Sequence, residues 1–224
     1  PFLRFDPYLQ QFKSLLYGIV SNYELSVVPL FVLMGYLASQ ANLSRDLFQG
    51  VNALLGRFRG GVAMAAIGAC AGFGAVCGSS LATASTMGHP SLAPKPEPMP
   101  AAERKEALLR LIPVMVIFGS IILGLGAGLF TPTPAAGVGV FAILVYGAYM
   151  RIRGKGGLTW KGLRQSLKDT AITSSMIFFI LLGAEILKGF FSRANLPAYM
   201  AEAAATSGFD PWLVMVLMLL ALIL

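Results

Sequence analysis

The residues of this chain best placed to do chemistry lie in "CGSSLATASTMG", residues 77–88, where Gly78, Ser79, Ser80, Thr83, Ser85 and Thr86 crowd into an apolar run. Hydroxyl and freed backbone carbonyl oxygens suit a hard cation such as Na+, and a half-helix N-terminus suits an anionic group. A glycine followed by two serines can interrupt a membrane helix. The backbone groups it frees are tolerated at membrane depth only where they line a cavity or are buried in protein. No Asp, Glu, Lys or Arg occurs within 61–88, as expected of a site that binds and releases charge without keeping permanent charge in lipid. Helix packing is the plainer reading of the same residues. Gly68/Gly72 and Gly74/Gly78 are small-xxx-small pairs, and serines and threonines in such helices can bond back to their own backbone. Composition alone leaves both readings open.

Other chemistries find less to work with. The single histidine, His89, has no partner, and Cys70 and Cys77, seven residues apart, share a helix face as small packing residues. No metal-type Cys/His spacing exists, no catalytic residue is assigned, and neither an enzyme nor an organic cofactor is expected. Glu185 and Lys188, three apart, read as a local ion pair at the membrane interface rather than an intramembrane site. Thr173, Ser174 and Ser175 suggest helix packing.

The elements that must position these residues follow from composition. The chain has 224 residues, 56% hydrophobic and 12% charged, with mean hydropathy +0.73. Soluble domains carry about twice that charged fraction, so much of the apolar surface must face lipid. The expected fold is an all-α polytopic membrane protein, because irregular backbone cannot face lipid. The net charge of +7 sits between apolar runs, where positive-inside bias accounts for it and nucleic acid is not needed.

Apolar runs fall at 25–41, 61–88, 109–130, 133–150, 170–191 and 211–224. Residues 1–24 read as an interfacial segment with Tyr17 and Tyr23 at headgroup level, and 89–108 as a linker. "FTPT" at 130–133 predicts a tight turn within a helical hairpin. Trp160 and Trp212 look like interface anchors, and Pro29 and Pro113 like helix entries or kinks. The stretch 151–168 holds Arg151, Arg153, Lys155, Lys161, Arg164 and Lys168 with no acid, marking the cytoplasmic side. The linker 89–108 then lies inside and 192–210 outside. Arg45, Arg57 and Arg59 outweigh Asp46 in 42–60, which also favours the inside. Segment 61–88 is therefore expected to enter and return as a re-entrant hairpin. The chain opens "PFLRFDPYLQQF" and closes "PWLVMVLMLLALIL", and reads as part of a longer polytopic protein.

Four stretches occur in one order: "SNYELSVVPLFVLMG" (21–35), "GRFRGGVAMAAIGACAGFGAVCGSSLATASTMG" (56–88), "LFTPTPAAGVGVFAIL" (129–144) and "LTWKGLRQSLKDTAITSSMIFFILLGA" (158–184). Together they resemble the large membrane subunit, DctM-like, of tripartite ATP-independent periplasmic (TRAP) transporters, over nearly everything from about residue 17 onward. The resemblance implies an ion-transporter-superfamily-like fold, here partial, with inverted repeats that each contribute a re-entrant hairpin. It implies a bacterial inner-membrane permease that works by an elevator-like movement with Na+ as coupling ion. A periplasmic substrate-binding protein would deliver a small organic anion, C4-dicarboxylate-like or another carboxylate, and a small TRAP membrane subunit would support the large one. Membrane lipid is the remaining partner. By motif, the ion and substrate region lands on Gly78, Ser79, Ser80 and Thr83, with Ser85 and Thr86 alongside, and Na+ itself on Ser79 and Ser80.

The departures from the family pattern matter as much. After "TMG" the chain passes through His89 into "PSLAPKPEPMPAAERKEALLRLIP", which resembles the family linker found two membrane segments further on. The turn "FTPTPAA" has Pro134 where relatives have an acid, and the second re-entrant hairpin is not reached. A non-transporting scaffold or remnant of such a permease is the alternative reading. A membrane-embedded enzyme ranks last, since only isolated Cys70 and Cys77 are available to it.

Overall fold

Asn42 decides where the first membrane helix stops. In the computed structural model, which describes residues 14, 17–19, 21–56, 58, 60–77, 101–154, 156–206 and 211–223, it adopts φ +64° between two helices. Asparagine is one of the few residues besides glycine that tolerates this left-handed backbone. Helix α1, Val27–Gln40, follows a 3-10 turn at Tyr23–Ser26 whose Asn22 side chain accepts the Glu24 N–H at 2.9 Å. Beyond Asn42 the chain bends by 68° into α2, Leu43–Leu55. That helix lies in the stretch read from sequence as a loop. It is amphipathic, burying Leu43, Leu47, Gly50 and Ala53. Its arginine-bearing sequence masks the pattern in a hydropathy window, while period 3.6 keeps one face apolar.

The remaining α-helices are α3 (Gly61–Cys77), α4 (Ala101–Gly126), α5 (Pro132–Ile152), α6 (Trp160–Arg193), α7 (Leu196–Thr206) and α8 (Pro211–Ile223). Among the described residues there is no strand. The structure is all-α, and α4, α5 and α6 are each long and apolar enough to cross a bilayer, with the bent α1–α2 pair able to supply a fourth span. Two boundaries correct the reading from sequence. The linker expected over 89–108 gives way to helix at Ala101, because "AAERKEALLRL" is rich in strong helix formers despite its charge. The membrane segment expected to begin at 170 begins as helix at Trp160. The stretch 192–210, expected as a loop, contains α7.

The turn at "FTPT" joins α4 to α5. Gly128 takes φ +70°, and the Leu129 N–H reaches the Gly124 carbonyl at 2.9 Å, closing the helix end. Pro132 then starts α5, where its missing N–H costs nothing.

Contacts divide the chain into two units. The larger, Val20–Met176, packs α2 against α3 and α4, and α1 against α5. Its core centres on Met34, Leu37, Leu43, Phe73, Val114 and Ile143, each wholly buried. Small residues set the closest approaches. A methyl group added at Gly50 would meet Leu111 at 2.8 Å, and one at Gly147 would meet Leu158 at 2.9 Å. The smaller unit contains Ile177–Leu224, hence the end of α6 with α7 and α8. Within it Asn195, at φ +55°, ends α6 and starts α7, and Glu185 pairs with Lys188 at 3.4 Å on an exposed face. That pair is the local i,i+3 contact its spacing implied.

Candidate functional site

Gly78, Ser79, Ser80, Thr83, Ser85 and Thr86 all lie outside the described residues. What the structure describes is the helix that leads to them. Helix α3 ends at Cys77, immediately before Gly78. Its seventeen residues give a length of about 25 Å, short of the roughly 30 Å hydrocarbon core.

Residue size explains how this arm, α3, is held. Ala65, Ala69 and Phe73 recur every four residues along α3, and all three are fully buried. Two alanines let the α3 backbone close on its neighbours, and Phe73 then locks the contact, meeting Phe118 of α4 edge to face with ring centroids 6.2 Å apart. The Gly68/Gly72 pair lies beside this stripe, on the exposed side. A methyl group at Gly68 would touch Val51 at 3.4 Å, so these glycines border α2 rather than form the principal contact. Cys70 is half-buried and packs against the same core.

Two polar groupings emerge that sequence reasoning did not combine. On α6, Gly162, Ser166, Thr170 and Ser174 form a buried stripe at intervals of four. Thr170 donates to the Ser166 carbonyl at 2.7 Å, whereas the Ser166 and Ser174 hydroxyls are buried without a partner among the described residues. Nearby, Thr173 and Tyr36 of α1 share a hydrogen bond of 3.0 Å. Thr173 thus ties α6 to α1, and Ser174 lies in the buried stripe. Because an orphaned hydroxyl is costly to bury, Ser166→Ala is expected to leave thermal stability unchanged or raise it. Tyr36→Phe should lower stability by about 1 kcal/mol. Melting curves of the two variants in one detergent compare them directly.

The second grouping surrounds Asp46. It is buried in the first turn of α2 and feels the charges of Arg110 on α4 and of Arg45. Arg110 in turn pairs with Glu106 at 2.7 Å. A carboxylate in a helix's first turn complements the positive end of the macrodipole, and the charge of Arg110 on α4 offsets part of the cost of burying Asp46. The signal was present in the sequence as an acid four residues after Asn42, inside a run otherwise marked only by arginines. These charges lie on or beside α2, the helix against which α3 packs.

Among the described residues no three His, Cys, Asp or Glu side chains gather as metal ligands. A groove between α4 and α5 is lined by Pro113, Val116, Ile117, Phe141, Val145 and Tyr149 and is almost wholly apolar. Its chemistry suits acyl chains rather than an anionic solute.

The family model described as "Tripartite ATP-independent periplasmic transporter, DctM component" matches residues 4–94 and 92–224, in two pieces that meet just beyond His89. The C4-dicarboxylate TRAP transporter large permease protein DctM of Pseudomonas aeruginosa is 30% identical over 85% of this chain and 47% of its own length. The sialic acid TRAP transporter large permease protein SiaM of Vibrio cholerae is 23% identical over 92% of this chain and 65% of its own. The isethionate TRAP transporter permease protein DctMQ of Oleidesulfovibrio alaskensis is 33% identical over 31% of this chain and 11% of its own. The chain therefore spans less than two thirds of the length of the first two relatives. The match to the sialic acid permease runs over 284 positions, more than the 224 residues of the chain itself. That relative carries residues inside the matched region that this chain lacks.

Proposed function

The chain belongs to the DctM-component family of tripartite ATP-independent periplasmic transporters, and on that premise we propose that it serves as the permease part of a Na+-coupled secondary transporter of the inner membrane. Its cargo is a small organic anion handed over by a periplasmic substrate-binding protein, and a small TRAP membrane subunit is its second partner. The observation that carries this reading is the arm. Helix α3, anchored by Ala65, Ala69 and Phe73, ends one residue before the hydroxyl-rich stretch. Gly78, Ser79, Ser80, Thr83, Ser85 and Thr86 are proposed to line the ion and solute region, with Ser79 and Ser80 offering oxygens to Na+. Neutral oxygens bind a hard cation without leaving fixed charge in lipid when it departs. The relatives named above take C4-dicarboxylates, sialic acid and isethionate. Each carries a carboxylate or sulfonate, which supports an organic anion as the class, with a carboxylate preferred. The chemistry is translocation, without covalent steps.

The test is uptake into vesicles holding the chain, its binding protein and its small subunit, with an imposed Na+ gradient. Labelled C4-dicarboxylate and sialic acid serve as probes. Na+-dependent accumulation is expected, and Ser79→Ala or Ser80→Ala should raise the Na+ concentration for half-maximal uptake about tenfold. A second reading, a non-transporting scaffold, is favoured by the residues the sialic acid permease has and this chain lacks. Absence of Na+-dependent uptake with all three components present would select it.

A further inference from the structure

The basic connection between α5 and α6 does more than count as positive charge. Lys161, Arg164 and Lys168 are exposed and fall on one arc of α6. Gly162, Ser166 and Thr170 are buried on the opposite face, so packing fixes the arc outward. Trp160, 75% exposed, stands beside it. Lys161 and Arg164 sit in or near the first turn, at the positive end of the helix macrodipole, where cations are unfavourable. That turn contains no acid, and among the described residues none of the three cations pairs with a carboxylate. Across the connection, Arg151 is held by a 3.3 Å bond to the Leu158 carbonyl, and the Arg153 guanidinium lies 4.8 Å over the Tyr149 ring. Ile152, 87% exposed, completes an apolar border.

We propose that this face binds the phosphate headgroup of an anionic phospholipid in the adjoining leaflet. The macrodipole and the cations both ask for an anion. The exposed Trp160 and Ile152 place that anion where acyl chains begin, which a soluble ion would not need. Membrane-adjacent clusters of this kind attract anionic lipid with about a fivefold gain per cation. Positive-inside sorting requires only the number of charges, whereas the arc and its tryptophan require a folded helix.

The test uses the full chain carrying Trp212→Phe, which leaves Trp160 as its one tryptophan, reconstituted in phosphatidylcholine vesicles. Dibrominated phosphatidylglycerol, added at low mole fraction, is expected to quench Trp160 about twofold or more beyond dibrominated phosphatidylcholine. The variant K161Q/R164Q/K168Q should lose that preference, and Lys161→Arg with Lys168→Arg should keep it, which separates charge from misfolding. Equal quenching by the two lipids, or a preference that survives the triple variant, overturns the proposal. So does loss of the preference on adding inorganic phosphate but not chloride of the same ionic strength, which would assign the face to free phosphate.

Discussion

Phe73→Ala is expected to lower the stability of the larger unit by about 3–5 kcal/mol. The side chain is fully buried, and it meets Phe118 edge to face at 6.2 Å. In a bilayer, apolar surface gains little by leaving lipid for protein, so helix contacts depend on packing itself. A cavity then costs mainly the lost dispersion contacts of its lining. Phe73→Leu, which refills most of the volume, should cost less than about 1.5 kcal/mol. Unfolding by denaturant in detergent micelles measures both. The functional consequence follows from position, because Phe73 is four residues before the end of α3. Losing it frees the arm that carries Gly78 and the hydroxyl stretch, so uptake should fall with stability. A loss below about 1 kcal/mol for Phe73→Ala would mean that other contacts anchor the arm.

Gly139→Leu is expected to break the packing of α5 on α1. Gly139 is buried in α5, and a methyl group there would collide with the Met34 Sδ of α1 and sit 2.8 Å from the Ile121 Cδ1 of α4. Met34 is wholly enclosed and Ile121 nearly so, at 2% exposure, so neither has room to retreat. Gly139→Ala alone should cost about 1–3 kcal/mol, and leucine more. Gly137 supplies the control, since nothing lies within 4 Å of an added methyl group. Gly137→Ala should be neutral or stabilise by up to about 1 kcal/mol through helix propensity. Coupling Gly139→Leu with Met34→Ala should recover part of the loss, as expected of residues in direct contact. Equal destabilisation by Gly137→Ala and Gly139→Ala would contradict a specific α1–α5 contact.

How far the sequence could be read varied with the kind of signal. Long apolar runs mark helices because lipid imposes one requirement along the whole segment, and α4, α5 and α6 correspond to runs read in that way. Helix α2 escaped because its average hydropathy is diluted by Arg45, Asp46 and Asn52. Its apolar residues matter by angular position, which a running average erases. The early start of α6 escaped likewise, since its first turns hide a glycine–hydroxyl face behind lysines and arginines. The candidate site was legible as composition, through the juxtaposition of Gly78, Ser79 and Ser80 with an acid-free helix. Its six residues stand outside the described structure, and their assignment rests on motif and on the arm that precedes them.

The amino-acid sequence by itself determined that this is a helical membrane protein, which apolar runs form the long helices α4, α5 and α6, and which stretch is rich in neutral oxygens. Those properties are local: each follows from the transfer energy or donor chemistry of neighbouring residues. Only the tertiary structure decided that Ala65, Ala69 and Phe73, rather than the glycine pair, carry the contact of α3. It also decided that Asp46 is buried within reach of the charge of Arg110 and that Gly139 closely approaches Met34. Such choices depend on which helix faces meet, and that is set by the joint packing of side-chain volumes far apart in the chain.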